Sequence, residues 1–191
     1  MAVNGVLFVL SVVAYQLPKG LGIATGARVG GFLGAGDAAG AKSALRQGLG
    51  ASTLLTLAVS LLYYYRLGAI GARLLCSSEP VAAAASSDEA RLALALCMNG
   101  FGLLVSCQFV LNACGRNTRA TLAAFAGCWI VGVSSGALLG FGKLHWQRMG
   151  VLGLWWGNAA GFAVGGAMGM LAVSRLDLEK EVKRAAGRAT A

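Results

Sequence analysis

The sequence predicts an all-α membrane protein, a polytopic bundle of about five transmembrane helices. Three observations carry that expectation. Of 191 residues, 57% are hydrophobic and only 12% charged, against about 45–50% and about 25% in a soluble domain. Apolar runs of roughly 20 residues, the length a bilayer core requires, recur along the chain. The 29 glycines fall largely inside those runs, where small residues let helix backbones approach closely.

The first span is expected at residues 3–25, with Pro18 near its middle, where a missing amide donor kinks a helix. Gly22, Gly26, Gly30 and Gly34 follow at four-residue intervals and leave a shallow groove. Such a groove is a hinge or a packing face, and packing is the simpler reading. Lys19 is the one clear charge inside a span, so it must snorkel or face a cavity. Arg28 falls where the helix reaches the interface, as an anchor or as part of a gate. Residues 37–42 form a polar turn.

The second span, 47–65, ends in Tyr63-Tyr64-Tyr65-Arg66, an aromatic and cationic group suited to the headgroup level. The long connection over 67–91 contains Pro80, which favours the start of a short helix reaching Ala85. Ser87 is placed to cap the next helix, with Asp88 and Glu89 in its first turn. The third span is 92–113 and the fourth 120–141, separated by a basic loop at 115–119. A loop holding His145 and Trp146 leads to the fifth span, 150–173. Its glycines at 153, 157, 161, 165 and 169 read mainly as packing. Residues 1–174 thus form the bundle and 175–191 a charged, helix-forming tail.

The net charge of +9 would suggest nucleic acid on a soluble chain. Here the cations lie at span ends and in the tail, so the bilayer is the expected surroundings and no nucleic-acid partner is expected. Ten of the cations lie in the 26–46 and 114–119 connections and the tail, five on the opposite side. That bias places the tail in the cytoplasm and Met1 outside, in a plasma or organellar membrane. An N-terminus that must cross without a preceding helix suggests a further segment upstream.

The five cysteines make no C-x-x-C pair, and His145 has no acidic or thiol cluster around it, so no metal or other cofactor is expected. No Ser-His-Asp set or carboxylate pair can be assembled, which argues against an enzyme. Asn99, Gln108, Asn112 and Asn158 are polar groups within or near spans. They either bond between helices or line a path.

One stretch carries a family resemblance. Pro18, Gly20, Leu21, Ala24, Arg28, Val29, Gly30, Leu33, Gly34, Ala35 and Gly36 fall in register on P-x-G-L-x-x-A-x-x-x-R-V-G-x-x-L-G-A-G. This resembles the multidrug and toxic compound extrusion (MATE) family, in its eukaryotic, fungal or algal, form. Ser77 to Val81 is similar to the family's short acidic stretch. Val110, Leu111, Gly115 and Arg116 keep part of V-L-R-G-x-G-R-Q, Gly132 fits the following span, and 150–157 resembles G-x-x-G-L-W-x-G. Residues 177–188 are like the tail of fungal members.

The resemblance implies spans eight to twelve of a twelve-span antiporter, most of its C-terminal lobe. It further implies export of organic cations, xenobiotics or metabolites in exchange for H+ or Na+. The implied partner is the missing N-terminal lobe or another half-transporter. A non-transporting or half-size membrane protein is the alternative.

The departures bear on mechanism. The family's carboxylate in the third span becomes Phe101 or Gly102, and the arginine of V-L-R-G becomes Asn112. In the fourth span Ala124, Cys128, Trp129 and Ser134 replace the family's asparagine, two tyrosines and proline. All seven acids lie in loops, at span ends or in the tail. A coupled carrier needs an ionisable group in its pathway, so the chain alone is not expected to pump. The candidate cavity or gate residues are Lys19, Arg28, Gln108, Asn112 and Asn158. Pro18 with the first glycine series forms the candidate hinge or packing seam.

Overall fold

A computed structural model describes residues 2–142 and 149–189. Lys143, His145, Trp146 and Arg148 lie outside them, as do the side chain of Arg188 and the residues after 189. The described chain is built of α1 (Ala2–Gly34), α2 (Ala38–Leu75), α3 (Glu79–Ala85), α4 (Asp88–Ala113), α5 (Asn117–Phe141), α6 (Val151–Ser174) and α7 (Leu178–Ala189). Among these, α1, α2, α4 and α5 are each long and apolar enough to cross a membrane. The apolar α6 passes the same test only when joined to Leu178–Gly187, from which it is bent by 80°, so the described residues hold four crossings, or five with α6.

The helices outrun the spans expected from hydropathy. The 3–25 span lies within the 33 residues of α1, about 50 Å of helix at 1.5 Å per residue. Pro18 sits inside α1, which continues through it. Likewise 47–65 lies within Ala38–Leu75. Helices continue beyond the apolar core where neither a cap nor a chain reversal stops them, and hydropathy cannot see that continuation.

The turns are set by glycine geometry. After α1, Gly36 adopts φ 78°. Its amide donates to Leu33 O and the Asp37 amide to Phe32 O, the paired bonds of a Schellman termination. Gly115 repeats the arrangement after α4 at φ 70°, with Gly115 N donating to Asn112 O and Arg116 N to Leu111 O. Asp37 Oδ1 then accepts from Gly40 N at 2.8 Å and caps α2. The polar turn expected over 37–42 therefore shrinks to 35–37, because that cap draws 38–42 into the helix. Ser87 accepts from Ala90 N and caps α4, with Asp88 and Glu89 in the first turn.

Successive long helices run up and down, so the chain reversals gather at two ends. At one end Leu7, Leu10, Tyr63, Ala72, Ala85, Leu94, Met98 and Trp155 share a buried cluster. At the other, Val29, Leu33, Ala41, Ala44 and Cys114 pack with Leu176, Leu178, Val182 and Ala185 of the tail. The tail is therefore docked rather than a free polar exit. Large apolar side chains such as Phe8, Leu54, Leu61, Ile70, Trp129 and Leu171 point outward, as a surface facing lipid requires.

Candidate functional site

Two helix seams organise the interior. In the first, a β-carbon at Gly22 would meet Phe109 Cδ2 at 3.2 Å and Ser106 Cα at 3.3 Å. One at Gly26 would meet the Phe109 carbonyl oxygen at 2.8 Å, and one at Gly30 only Ala113 Cβ at 3.6 Å. Gly34 has open space around it. Three of the four glycines thus face α4, and the approach is tightest at Gly26. Pro18, one turn before Gly22, is buried.

The second seam joins α5 and α6 and is built on backbone contact. A β-carbon at Gly153 would lie 2.5 Å from Gly140 N, and one at Gly161 2.7 Å from Gly132 Cα. One at Gly127 would lie 2.5 Å from Gly161 O, and one at Gly157 would collide with the Gly136 backbone. Opposing the regular series on α6 is therefore Gly127, Gly132, Gly136 and Gly140 on α5. The gap from 127 to 132 is five residues, and the backbone over Phe125–Val133 is π-helical. The wider π turn takes up the extra residue and keeps all four glycines toward α6.

Polar contacts join other pairs of helices at a few points. Ser52 and Ser106, both buried, share a hydrogen bond at 2.5 Å between α2 and α4. Thr56 Oγ1 donates to Ser52 O, one turn back. Ser60 continues this face but is buried with no partner. Trp155 Nε1 donates to Asn4 Oδ1 at 3.1 Å, tying α6 to the start of α1. Cys97 Sγ also donates to Trp155 O at 3.2 Å, between α4 and α6, and sequence reasoning missed all three of these interhelical pairs. The four-residue spacing of Ser52, Thr56 and Ser60 was the available signal for the first. Asn99, a candidate for such a bond, donates to Ala95 O within its own helix.

Phe101 and Gly102, the two positions expected to stand in place of the family's carboxylate, are both packed against neighbouring helices. Phe101 stacks on Tyr15 with ring centroids 4.1 Å apart, and Phe162 meets both edge-on at 5.3 and 6.5 Å. Gly102 abuts Thr56. This cluster lets α1, α4 and α6 interlock through aromatic contact, without a carboxylate.

The structure does not gather the candidate gate residues. Lys19 and Arg28 on α1, Asn112 on α4 and Asn158 on α6 are exposed, and Gln108 is half-buried. Asn158 borders a groove with Asn4, Gly136, Leu154 and Trp155 near the end opposite the tail. The outer face of α1 has its own pattern. Gln16, Gly20, Ala24, Ala27 and Gly31 are all exposed, at the spacing of one helix face, with Lys19 and Arg28 beside them.

Apart from Lys19 in the middle of α1, charge gathers toward the ends. Glu181, 2% exposed, accepts from Arg116 Nε at 2.9 Å and Arg116 Nη2 at 2.5 Å, and Arg184 Nη1 reaches the same oxygen at 3.1 Å. Asp177 accepts from the Lys180 amide and pairs with its ammonium at 2.9 Å. Those hydrogen bonds hold its carboxyl below the ordinary aspartate range. At the other end Arg91 pairs with Asp88, donates to Tyr64 O and lies 5.5 Å from the Tyr64 ring centroid. No group of His, Cys, Asp and Glu able to hold a metal occurs among the described residues.

An apolar exterior, glycine seams and ion pairs gathered at both ends define a multi-pass integral membrane bundle. Comparison with known proteins gives its family. Residues 1–138 match the MatE family, and the chain belongs to it. It is 34% identical over 155 residues to the multidrug resistance protein NorM of Burkholderia vietnamiensis, which covers 79% of this chain and 32% of that protein. It is 26% identical over 194 residues to multidrug and toxin extrusion protein 1 of Danio rerio, covering 97% of this chain and 30% of that one. The crystal structure of the eukaryotic MATE transporter AtDTX14 superposes with a TM-score of 0.86 at 24% identity, over 98% of this chain and 40% of that one. The chain thus spans about a third of the length of these relatives, and the last comparison shows the shared fold.

Proposed function

We propose that the chain supplies one lobe's helices to a MATE-type carrier that exports organic cations, xenobiotics or metabolites against H+ or Na+. A second lobe completes the carrier. The carrying observation is the outer face of α1. Lipid-facing positions elsewhere hold Leu54, Leu57, Leu61 and Ile130, whereas from Lys19 to Gly31 this face shows mostly small residues and two cations, with Ile23 the large apolar side chain among them. Small residues suit close approach of another helix, and cations are disfavoured against acyl chains. Lys19 and Arg28 would then border an aqueous path between lobes, with the tail on the cytoplasmic side by the excess of cations there. The membrane would be the plasma membrane or that of an organelle.

Among the described residues no acid lies within α1, α2, α4 or α5 away from their ends, and the buried acid Glu181, in the tail beyond α6, is neutralised by two arginines. The coupling carboxylate would therefore come from the second lobe. The same observation favours a second reading, a half-size membrane protein that does not transport.

Vesicles loaded with a fluorescent organic cation separate these readings. The chain alone is expected to give no efflux above empty vesicles under a pH or Na+ gradient. Adding the N-terminal lobe of a family member is expected to restore it. Efflux by the chain alone would overturn the need for a second lobe, and no efflux with any lobe would favour the non-transporting reading. Ala27→Leu with Gly31→Leu should abolish co-purification of the two lobes while leaving the melting midpoint of this chain unchanged, since both positions are exposed.

A further inference from the structure

At the tail end of the bundle, between the start of α5 and the end of α6, a groove of about 320 Å³ is lined by Arg119, Met168, Leu171, Ala172 and Arg175. Its cations differ from their neighbours. Arg116, Lys180 and Arg184 each hold a tail carboxylate, whereas Arg119 and Arg175 have no ion pair among the described residues and their groove contains no acid. A larger groove nearby also has two cations, Lys42 and Arg46, but Asp177 and Glu179 line it with them.

The shape of the charged groove follows from helix periodicity. Met168, Leu171, Ala172 and Arg175 recur at three- and four-residue intervals on α6, so they make one stripe along one face. The stripe runs from apolar depth to a cation at the helix end. Arg119, in the first turn of α5, adds a second guanidinium at the same level. Met168 and Leu171 are 38% and 50% exposed, on a surface that faces lipid. A pair of guanidiniums matches the geometry of a phosphate, with charge-assisted bonds. Basic pockets between membrane helices are where acidic headgroups bind.

We propose that this groove binds the phosphate of an anionic phospholipid, with an acyl chain lying along Met168 and Leu171. The proposal needs only the membrane location of the chain and is independent of its transport activity.

The test is native mass spectrometry of the full chain released from vesicles of phosphatidylcholine and phosphatidylglycerol in equal parts. The wild-type chain should retain phosphatidylglycerol preferentially. Arg119→Gln with Arg175→Gln should lower that retention about tenfold, the scale of one lost charge-assisted contact. The corresponding double lysine variant should keep part of it, and Lys42→Gln with Arg46→Gln should leave it unchanged. Leu171→Gln, which spares both guanidiniums, should also weaken retention and serves if the glutamine pair does not fold. Undiminished retention in the double glutamine and Leu171→Gln variants would overturn the site. Equal retention of both lipids would overturn its charge preference. Displacement by millimolar inorganic phosphate would make it a free-anion site instead.

Discussion

Replacing Gly157 with alanine should prevent α5 and α6 from closing. The added methyl would fall on the backbone of Gly136 and within 2.7 Å of Gly132 O. Overpacking a core typically costs about 1–3 kcal/mol when side chains can move aside. Here the obstructing atoms are main chain on a facing helix, so the cost should reach or exceed the upper end of that range. Gly153 and Gly161 lie in the same seam and should behave alike. Gly20→Ala is the matched control, because nothing lies within 4 Å of the new carbon and alanine favours a helix by about 1 kcal/mol over glycine. Thermal melting in detergent, read as the fraction remaining monodisperse, should show Gly157→Ala lost at low temperature and Gly20→Ala at or above the wild type. Equal midpoints would mean that the seam is looser than backbone contact.

Removing Arg116 should release the tail. Arg116 stands directly after the Gly115 turn and delivers two donors to Glu181. With Arg116→Ala, a carboxylate only 2% exposed keeps Arg184 alone, itself 54% exposed. Breaking a fully buried pair costs about 3–5 kcal/mol. Arg116 is 28% exposed and one partner remains, so solvent screening reduces the expected loss to about 1–3 kcal/mol. The readout is local. Hydrogen exchange over 178–185 should accelerate and trypsin should gain access to Lys180 and Lys183, while α4 stays protected. Arg116→Leu with Glu181→Leu should restore much of the docking, because the tail's other contacts, Leu178, Val182 and Ala185, are apolar. Protection of 178–185 unchanged in Arg116→Ala would show that the apolar contacts suffice.

These two sites also show how far the sequence could be read. The series 153-157-161-165-169 stands out because its interval is constant, and the structure sets Gly153, Gly157 and Gly161 against α5 while Gly169 turns to Cys107 of α4. Its partner series is hidden by the five-residue step from Gly127 to Gly132, which becomes regular only in the π-helical stretch. The tail reads as charged because acids and bases crowd it, yet Leu178, Glu181, Val182 and Ala185 recur at helical spacing. That spacing puts one carboxylate in an apolar stripe, and only the position of Arg116 shows what neutralises it. The capping of α4 by Ser87 was legible because its chemistry is local. Lys19, Arg28, Asn112 and Asn158 were singled out by residue type within apolar runs. Residue type does not say which helix face a side chain takes, and these four lie on outer faces of three different helices. Residues 143–148, with His145, lie outside the described structure.

With α6 as a crossing the number of crossings is odd, and the docked tail lies on the side of the membrane opposite the 76–87 connection. Sidedness in sealed vesicles tests it most directly. In a chain with Cys76→Ser and Cys128→Ser, single exposed cysteines are placed by Ser77→Cys or Lys183→Cys and treated with a membrane-impermeant maleimide. The remaining Cys97, Cys107 and Cys114 are buried. One position should label in intact vesicles and the other only after permeabilisation. Labelling of both from the same side would contradict this, leaving an even number of crossings.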